Sequence, residues 1–342
     1  MINTAVVILN WNGKKYLEQF LPALTKYTNN PDTEIIIADN NSTDDSIDFL
    51  NQSYPELKII ELNKNYGFTG GYNRALQQIK AKYYVLVNSD IEVTKNWLAP
   101  LIELMDSDDK IAACQPKIKA YHQKNYFEYA GASGGFIDQF GYPFCRGRIL
   151  DTLEKDTGQY NEIREVFWAT GACMVVRADM FHQFGGFDDD FFAHMEEIDL
   201  CWRFKNSGYK IFVQPKSEVY HVGGGTLPVS PFKLYLNYRN SLFLLYKNLP
   251  KRKLFTTIFA RMILDGLSAF IFLAKLSFQN FNAVLKAHAQ FYQSLKKLRL
   301  KRKMILSNKT VKKHPEMFQG SIVVNYFIRK KRFFTQLKEL NR

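Results

Sequence analysis

Near its start the chain reads Ala5-Val6-Val7-Ile8-Leu9-Asn10-Trp11-Asn12-Gly13, an apolar β-branched run that ends in polar turn formers. Such a run predicts a strand that is buried on both faces. Similar runs follow at residues 34–38 and 83–87, with a weaker one at 57–62, and segments with helical apolar spacing, such as residues 16–24, lie between them. Because strands alternate with helices, the sequence predicts an α/β fold with a mainly parallel sheet flanked by helices.

Polar, turn-forming residues follow each of these four strands. The polar loops begin at Asn10, Asp39, Asn63 and Asn88. In parallel sheets of this kind, ligands bind at the carboxyl ends of the strands. One such loop is ordinary, since Asn, Asp, Ser and Gly are common in turns, but four on one sheet edge predict a pocket of nucleotide size.

A second distinctive stretch, residues 185–203, reads GGFDDDFFAHMEEIDLCWR and sets six carboxylates among aromatic rings. Apolar residues at Met195, Ile198 and Trp202 have helical spacing. Two interpretations stay open for the six acidic residues. They can take part in the reaction, or the first of them can stabilise the positive N-terminal end of a helix in which Asp199 pairs with Arg203 at i,i+4.

Charge divides the chain into two parts. Residues 1–232 carry 22 Lys and Arg against 30 Asp and Glu, whereas residues 233–342 carry 24 against 3. We therefore expect a catalytic domain over 1–232 and a basic, aromatic-rich helical appendage over 233–342 that meets phosphates of a membrane or of nucleic acid. The four cysteines are widely spread, and the N-terminus lacks the layout of a signal peptide, which together favour a reduced, cytoplasmic protein.

The appendage contains two segments of interest for membranes. Residues 258–278 are apolar, but Arg261, Asp265 and Lys275 interrupt them, so a membrane span is not expected. Residues 281–302 repeat apolar side chains among lysines and arginines, which predicts a basic amphipathic helix suited to anionic lipid head groups. In the alternative interpretation, this helix packs its apolar face on the catalytic domain.

The ordered loops resemble those of family 2 glycosyltransferases, and especially of the bacterial branch that includes rhamnosyltransferases. The resemblance covers residues 4–225 and is carried by the four strand-end loops, by Trp168-Ala169-Thr170-Gly171-Ala172-Cys173-Met174 and by residues 185–203. It implies a GT-A (Rossmann-like) fold, a nucleotide-sugar donor such as dTDP-rhamnose or a UDP-sugar, a divalent metal, Mg²⁺ or Mn²⁺, and inverting transfer to a glycan or lipid-linked glycan.

The resemblance also suggests which residues contact the donor. Asp39 is expected to accept a hydrogen bond from the imide N–H of the base, which suits a carboxylate, although an Asx turn is the ordinary role of such a residue. Two arginines of the long Gly- and aromatic-rich segment 126–149, which we interpret as a functional loop, are added because guanidinium groups suit phosphate oxygens. The donor-binding candidates are Asn10, Asn12, Asp39, Asn41, Gly67, Gly70, Gly71, Asn73, Asn88, Arg146 and Arg148.

Metal binding is assigned to Asp90, which stands at the last position of the Asp-x-Asp motif of the family, with His221 as a second ligand. The segment around it reads Val219-Tyr220-His221-Val222-Gly223-Gly224-Gly225-Thr226. Hard oxygen donors suit Mg²⁺ or Mn²⁺, and the resemblance implies a metal ligand from a His-containing segment of this kind. A lone histidine is more often structural, so that alternative stays open.

The catalytic base is expected at Glu197, because the family places it at the second acid of a Glu-Asp pair and this chain reads Glu196-Glu197. Glu196 and Asp199 are the fallback candidates. A base is needed because the acceptor hydroxyl loses its proton as the glycosidic bond forms. Trp168, Asp188 and Asp190 are expected on the acceptor side, with helix capping as the alternative role of the two aspartates.

Two other functions remain to be weighed. The basic C-terminal third alone fits a nucleic-acid-binding protein, but it lacks metal-finger or RNP-like signatures. A nucleotidyltransferase also combines an α/β sheet with a metal-binding acid, but the N-terminal region lacks a Gly-rich triphosphate signature. We therefore expect no nucleic-acid partner and a location on the inner face of the cell membrane. The oligomeric state is left open.

Overall fold

The computed structural model describes residues 2–223, 230–337 and 340. Fourteen strands lie in these parts of the chain. In chain order they are β1 Ile2–Asn10, β2 Thr33–Asp39, β3 Lys58–Glu61, β4 Ala81–Asn88, β5 Ile91–Val93, β6 Ile111–Ala120, β7 Gly135–Asp138, β8 Pro143–Cys145, β9 Arg148–Ile149, β10 Thr152–Leu153, β11 Arg164–Glu165, β12 Cys173–Arg177, β13 Lys210–His221 and β14 Met317–Phe318.

Ten α-helices connect and cover the strands in the described ranges. They are α1 Lys14–Tyr27, α2 Ser46–Ser53, α3 Gly67–Leu76, α4 Ala99–Ser107, α5 Ala178–Gln183, α6 Glu196–Asn206, α7 Pro231–Asn248, α8 Lys251–Ala274, α9 Phe278–Ser307 and α10 Ile322–Phe327. Helix α7 begins after Ser230, whose hydroxyl accepts from the Lys233 N–H, and Pro231 occupies the first helical position, where its missing N–H costs nothing.

The main sheet has the order β11-β13-β6-β12-β4-β1-β2-β3, with β5 paired to β13. Strands β3, β2, β1 and β4 run parallel, whereas β12 is antiparallel to both of its neighbours. Side chains alternate between two hydrophobic cores, so that Val6 packs on one face and Val7 on the other. The predicted α/β sheet flanked by helices is confirmed, and all four predicted strands are present.

The long segment 126–149 is not the irregular loop that the sequence suggested. It supplies β7, β8 and β9 of a second sheet with the order β10-β9-β8-β7-β14. The last strand, β14, comes from the C-terminal part of the chain and pairs parallel with β7. Phe334 joins the same core by packing against Phe136 and Phe144. Residues beyond 300 are therefore built into the fold around this segment.

Helices α7, α8 and α9 pack on one another and on the catalytic part of the chain. In α9, the buried side chains are Ala283, Val284, Ala287, Phe291, Leu298 and Arg302. This stripe faces the protein, as the alternative interpretation of the basic amphipathic helix required. Helix α8, by contrast, is long and apolar enough to cross a membrane by length and composition. From the sequence, residues 258–278 are considered for a membrane span, but none is expected because of Arg261, Asp265 and Lys275.

Candidate active site

The ends of β1, β2 and β4 lie at one edge of the main sheet. Asn10 is in register with Asp39, and Leu9 is in register with Asn88. The backbone N–H of Asn88 donates to the carbonyl of Ala172 across 2.9 Å, which brings the segment before β12 to the same edge. The polar residues that follow these strands in the sequence are therefore neighbours in space.

Asp39 organises the first part of this edge. Its carboxylate accepts from Asn10 Nδ2 at 2.9 Å, from the Ser42 N–H at 2.8 Å and from the Ser42 hydroxyl at 2.6 Å. Asn12 ties the two loops together, since its Oδ1 accepts from the Thr43 N–H at 2.7 Å. Asp39 thus stabilises its own loop through the backbone N–H three residues further on, and its contact with a nucleotide base stays a prediction, as do those of Asn10, Asn12 and Asn41.

The glycines at the start of α3 permit close packing. A Cβ on Gly71 would lie 2.8 Å from Leu9, and one on Gly70 would lie 3.0 Å from Tyr66 Cβ. Gly67 has a φ of 71°, and a Cβ there would lie 2.6 Å from the Phe192 ring. The N–H groups of Phe68 and Thr69 donate to the Phe192 carbonyl at 3.0 and 3.2 Å. The glycine loop therefore contacts the segment that carries the candidate base.

Asn73, a donor candidate on α3, also contacts that segment. Its Nδ2 donates to the Phe187 carbonyl at 2.8 Å and to Asp189 Oδ1 at 2.7 Å, while its Oδ1 accepts from the Phe187 N–H at 2.9 Å. All of these partners belong to the protein. The observed role of Asn73 is therefore to hold residues 187–189, and it is left out of the donor contacts proposed below.

Asp90 and His221, the two predicted metal ligands, are buried next to each other. His221 Nε2 lies 3.2 Å from Asp90 Oδ1, and its Nδ1 lies 3.3 Å from Glu128 Oε2. Glu128 was not identified from the sequence, because it lies in the segment interpreted as a loop. Gly224, Gly225 and Thr226, which follow His221 in the predicted motif, lie outside the described residues.

The donor set around Asp90 fits a divalent metal in part. Asp90 Oδ2 is buried and has no hydrogen-bond partner within the described parts of the chain. Burial by itself lowers the pKa of His221, but the carboxylates of Glu128 and Asp90 outweigh it and raise the pKa to about 10. Among the described residues there is no group of three or more His, Cys, Asp or Glu side chains that could hold a metal. Asp90 and His221 would thus supply at most two ligands, and the rest of the shell would have to come from elsewhere.

Glu196 and Glu197 begin helix α6. Glu196 is buried and Glu197 is half-buried, and each has one buried carboxylate oxygen that lacks a hydrogen-bond partner in the described structure. Burial raises the pKa of Glu197 to about 7. Burial and the neighbouring Glu197 raise the pKa of Glu196 well above its ordinary value. A Cβ on Gly171 would lie 3.8 Å from Glu197 Cβ, so this carboxylate is next to the segment that meets Asn88.

The chain before this acid pair has an unusual backbone that α7 holds in place. Phe192, His194 and Met195 all have positive φ values. Asn240 of α7 donates from Nδ2 to the carbonyls of Phe191, Ala193 and His194, at 3.0, 2.9 and 2.7 Å. No pattern in the sequence indicated this contact, since residues 233–342 were interpreted from composition alone.

Asp199 is held by three partners rather than being free to act as a base. Its carboxylate accepts from Arg203 Nε at 2.9 Å, from Lys247 Nζ at 2.8 Å and from Asn248 Nδ2 at 2.9 Å. The predicted pairing of Asp199 with Arg203 is confirmed. Because these contacts fix the Asp199 carboxylate and occupy both of its oxygens, Asp199 is not proposed as the base below.

Asp188 and Asp190 are also engaged by the protein itself. Asp188 accepts from the Asp190 N–H and pairs with Lys247 and Lys301, and Asp190 pairs with Lys297 and Lys301. These ion pairs join the segment before α6 to helices α7 and α9. Asp188 therefore caps the short 3-10 helix Asp189–Phe191, whereas Asp190 makes ion pairs, and a contact of either aspartate with the acceptor stays a prediction.

Three further candidates are occupied by structural contacts. Arg146 is fully buried and donates to the Ser133 carbonyl and to Glu162. Arg148 donates to the carbonyls of Tyr129 and Pro143. Trp168 is buried, and its indole N–H donates to the Phe136 carbonyl at 2.8 Å. The Arg146 guanidinium and the Trp168 indole N–H are therefore used within the protein, whereas Arg148 keeps a buried Nε without a hydrogen-bond partner in the described structure. Contacts of these three residues with donor or acceptor are left out of the proposal below.

The strand order of the main sheet and the polar edge at Asn10, Asp39 and Asp90 define a GT-A fold of the kind found in glycosyltransferases. A family model described as Glycosyl transferase family 2 matches residues 5–185. Because this match covers more than half of the chain, the protein belongs to glycosyl transferase family 2, as the order of its loops had indicated.

Individual relatives share only a modest fraction of their residues with this chain. The chain is 26% identical over 231 residues to N-acetylglucosaminyl-diphospho-decaprenol L-rhamnosyltransferase of Mycobacterium tuberculosis, covering 63% of this chain and 75% of the relative. The solved structure of S. aureus TarS 1-349 in complex with UDP-GlcNAc is similar with a TM-score of 0.55, 18% identity and coverage of 90% and 89%. A crystal structure of GalNAc-T7 with UDP, GalNAc and Mn²⁺ is similar with a TM-score of 0.56 and 17% identity. The match covers 72% of this chain and 48% of GalNAc-T7, so this chain spans about half the length of that structure.

Proposed function

We propose that this glycosyltransferase inverts the anomeric centre as it moves a sugar from a nucleoside-diphosphate donor to a hydroxyl of a lipid-linked glycan, with Glu197 as the catalytic base. The acceptor oxygen forms the new bond to the anomeric carbon while the bond to the diphosphate breaks. The acceptor proton passes to the Glu197 carboxylate, and the nucleoside diphosphate leaves. dTDP-rhamnose and UDP-sugars are the donors to test first, the former because of the similarity to an L-rhamnosyltransferase.

The observation that carries this proposal is the state of Glu197. One oxygen of this half-buried carboxylate is shielded from solvent and has no hydrogen-bond partner in the described structure, and desolvation raises its pKa to about 7. A base is most effective when its pKa lies near the working pH, because it is then largely deprotonated and still able to hold a proton. Glu196 is the first fallback, and Asp199 is the less favoured one because three side chains already contact its carboxylate.

The donor is proposed to bind along the strand ends. Asn10, Asn12, Asp39 and Asn41 would hold the nucleoside, and the backbone at Gly67, Gly70 and Asn88 would approach the sugar and diphosphate. Asp90 and His221 would hold a divalent metal, Mg²⁺ or Mn²⁺, which would supply positive charge against the leaving diphosphate. The buried oxygen of Asp90 that lacks a partner supports this role, and Mn²⁺ accompanies UDP in the similar GalNAc-T7 structure.

The remaining part of the proposal concerns location. Residues 1–232 would carry donor binding and catalysis, while residues 233–342 would contact the anionic inner face of the cell membrane. The M. tuberculosis relative is named for a lipid-linked acceptor, and an enzyme that uses such an acceptor benefits from residence at the membrane.

The test is transfer and donor hydrolysis across UDP-, GDP- and dTDP-sugars with Mn²⁺ or Mg²⁺, followed by NMR of the anomeric proton of the product. We expect turnover of one donor class and a product of inverted configuration. Glu197→Gln should reduce transfer by roughly 10²-fold or more, whereas Glu56→Gln, at an exposed glutamate, should not. A product of retained configuration, or full activity in Glu197→Gln, would contradict the proposal.

A further inference from the structure

Helix α8 has its polarity reversed relative to a helix that faces water. Four of its side chains are buried and repeat every fourth residue: Thr257, Arg261, Asp265 and Ala269. Arg261 and Asp265 are the only two charged residues between positions 254 and 274. Large apolar side chains occupy the opposite face and are exposed: Phe255, Phe259, Ile263, Leu267, Phe270, Ile271 and Leu273. Phe255 and Phe270 are 79% and 69% exposed.

The inward face is tied to the protein by a polar network. Arg261 Nε donates to Asp265 Oδ1 at 2.7 Å, and Arg261 Nη1 donates to the Phe140 carbonyl at 3.1 Å. The Tyr142 hydroxyl and His288 Nε2 lie 3.5 and 3.3 Å from the same carboxylate. These contacts belong to the second sheet and to α9, so one whole side of α8 is committed to the protein and is not available to lipid.

The outward face has the size and charge layout of a membrane contact. At about 1.5 Å per residue, the stretch from Phe255 to Leu273 runs for roughly 27 Å without an exposed charge. Basic residues stand at both ends of the helix, with exposed Lys251 and Arg252 before it and exposed Lys275 after it. An apolar patch of this length marks an interaction site, and the flanking positive charges complement anionic lipid head groups.

We propose that α8 lies in the plane of an anionic phospholipid leaflet, with its outward aromatic and aliphatic face among the acyl chains and its basic ends at the head groups. This inference rests on the proposed function and moves the membrane contact from residues 281–302 to α8. The inward Arg261–Asp265 pair keeps the helix on the protein surface, so it enters one leaflet without crossing the bilayer. A lipid-linked acceptor then reaches the enzyme by diffusion within the same leaflet.

The experiment is flotation of the full chain with phosphatidylcholine vesicles that contain or lack about 30 mol% phosphatidylglycerol. We expect Phe259→Gln/Phe270→Gln to lower vesicle partitioning at least about tenfold, because it removes two exposed rings from the apolar face. The matched control is Tyr126→Gln/Ile163→Gln, at two exposed apolar positions outside the appendage, and it should float like the wild type. Arg252→Gln/Lys275→Gln should remove only the preference for phosphatidylglycerol.

Several outcomes would overturn the inference. Wild-type flotation of the double phenylalanine variant would show that another surface holds the membrane. Resistance of the wild type to extraction by alkaline carbonate would mean that α8 spans the bilayer. A lipid-free dimer that the phenylalanine variant converts to monomer would mean that a second copy covers the face.

A water-soluble acceptor analogue separates this inference from the proposed function. Transfer to the analogue by a phenylalanine variant that no longer floats supports both. If the wild type floats with the vesicles but turns over no nucleotide-sugar, the proposed function is contradicted, whereas the lipid contact of α8 is supported.

Discussion

Asn240 donates from its side-chain amide to the carbonyl oxygen of His194 across 2.7 Å. The same nitrogen also contacts the carbonyls of Phe191 and Ala193. A positive φ at a residue other than glycine costs roughly 1–3 kcal/mol, and this segment contains three such residues directly before α6. A strained backbone of this kind persists only where its surroundings hold it. Helix α7 therefore helps to define the position of Glu196 and Glu197.

Replacing Asn240 should slow the reaction more than it weakens donor binding. We expect Asn240→Ala to lower kcat by about 10- to 100-fold, because small displacements of a catalytic group are costly, and to change KM for the donor little. Steady-state kinetics over a donor series measures both constants. Asn237→Ala, one turn earlier on the same helix, is the matched control. Equal losses in kcat for both variants would mean that Asn240 acts only on general stability.

The pH dependence of turnover should report the base. Because burial raises the pKa of Glu197 to about 7, and because only the deprotonated carboxylate accepts the proton, kcat/KM should rise with pH up to about 7 and then level off. The profile is measured with saturating metal between pH 5 and 9. An acid limb centred near the ordinary glutamate value would mean that a more exposed carboxylate acts as the base.

The same burial makes a prediction about stability. The folded-state pKa of Glu197 lies above its ordinary value of 4.5, so its contribution to stability is complete below about pH 4.5 and is lost as the pH rises through about 7. Glu197→Gln stays neutral throughout. We expect the free energy of unfolding of this variant to exceed that of the wild type by roughly 3 kcal/mol at pH 8, and the difference to fall to about 1 kcal/mol or less at pH 5. Urea unfolding at the two pH values measures the difference, and Glu56→Gln should show none.

Much of the fold and part of the site follow from local patterns. The four predicted strands and the helix that begins at Glu196 depend on short-range periodicity, and the pairing of Asp199 with Arg203 depends on i,i+4 spacing. The edge that gathers Asn10, Asp39 and Asp90 follows from the rule that parallel strands end on one side of a sheet. These features could be predicted because each is encoded within a few residues or by strand order.

The missed features depend on contacts between distant parts of the chain. Glu128 meets His221 across more than 90 positions, and Asn240 meets His194 through the packing of α7. Arg146 and Arg148 suggested phosphate binding by residue type, but the second sheet surrounds them and uses their donors. The sequence did not reveal the reversed polarity of α8. Arg261 and Asp265 lower the mean hydropathy of the helix, but both are buried, and its exposed face is apolar. Composition reports which groups are present, whereas burial decides which of them face outward.

Metal binding should depend on Asp90 directly and on Glu128 indirectly. We expect Asp90→Ala to weaken Mn²⁺ binding in the presence of nucleoside diphosphate by roughly 10²-fold, since it removes an anionic oxygen ligand. Glu128→Gln should weaken it by about tenfold, because Glu128 orients the His221 ring from the Nδ1 side. Electron paramagnetic resonance of free Mn²⁺ gives both affinities without an activity assay. Unchanged Mn²⁺ affinity in Asp90→Ala would place the metal elsewhere.

Lys247 should be a major source of stability, because it joins the segment before α6 to α7 from a buried position. Its ammonium group lies 2.5 Å from Asp188 Oδ2 and 2.8 Å from Asp199 Oδ2. Burial raises the pKa of Asp188, but Lys247 and Lys301 outweigh it and hold the pKa well below its ordinary range. This contribution to stability is therefore present near neutral pH and is lost as the pH falls through the lowered pKa.

Lys247→Met keeps most of the side-chain volume but leaves two buried carboxylates with fewer partners. Removal of one member of a buried ion pair typically costs several kcal/mol, so we expect the free energy of unfolding at pH 7 to fall by about 3 kcal/mol, and the loss to shrink in acid as Asp188 becomes protonated. Lys286→Met, at an exposed lysine of α9, is the control and should be nearly neutral, since exposed charges contribute little. If both variants unfold at the same urea concentration as the wild type, Lys247 does not stabilise the packing of α7 against the segment before α6. The contacts of Asn240 would then have to hold that segment without Lys247.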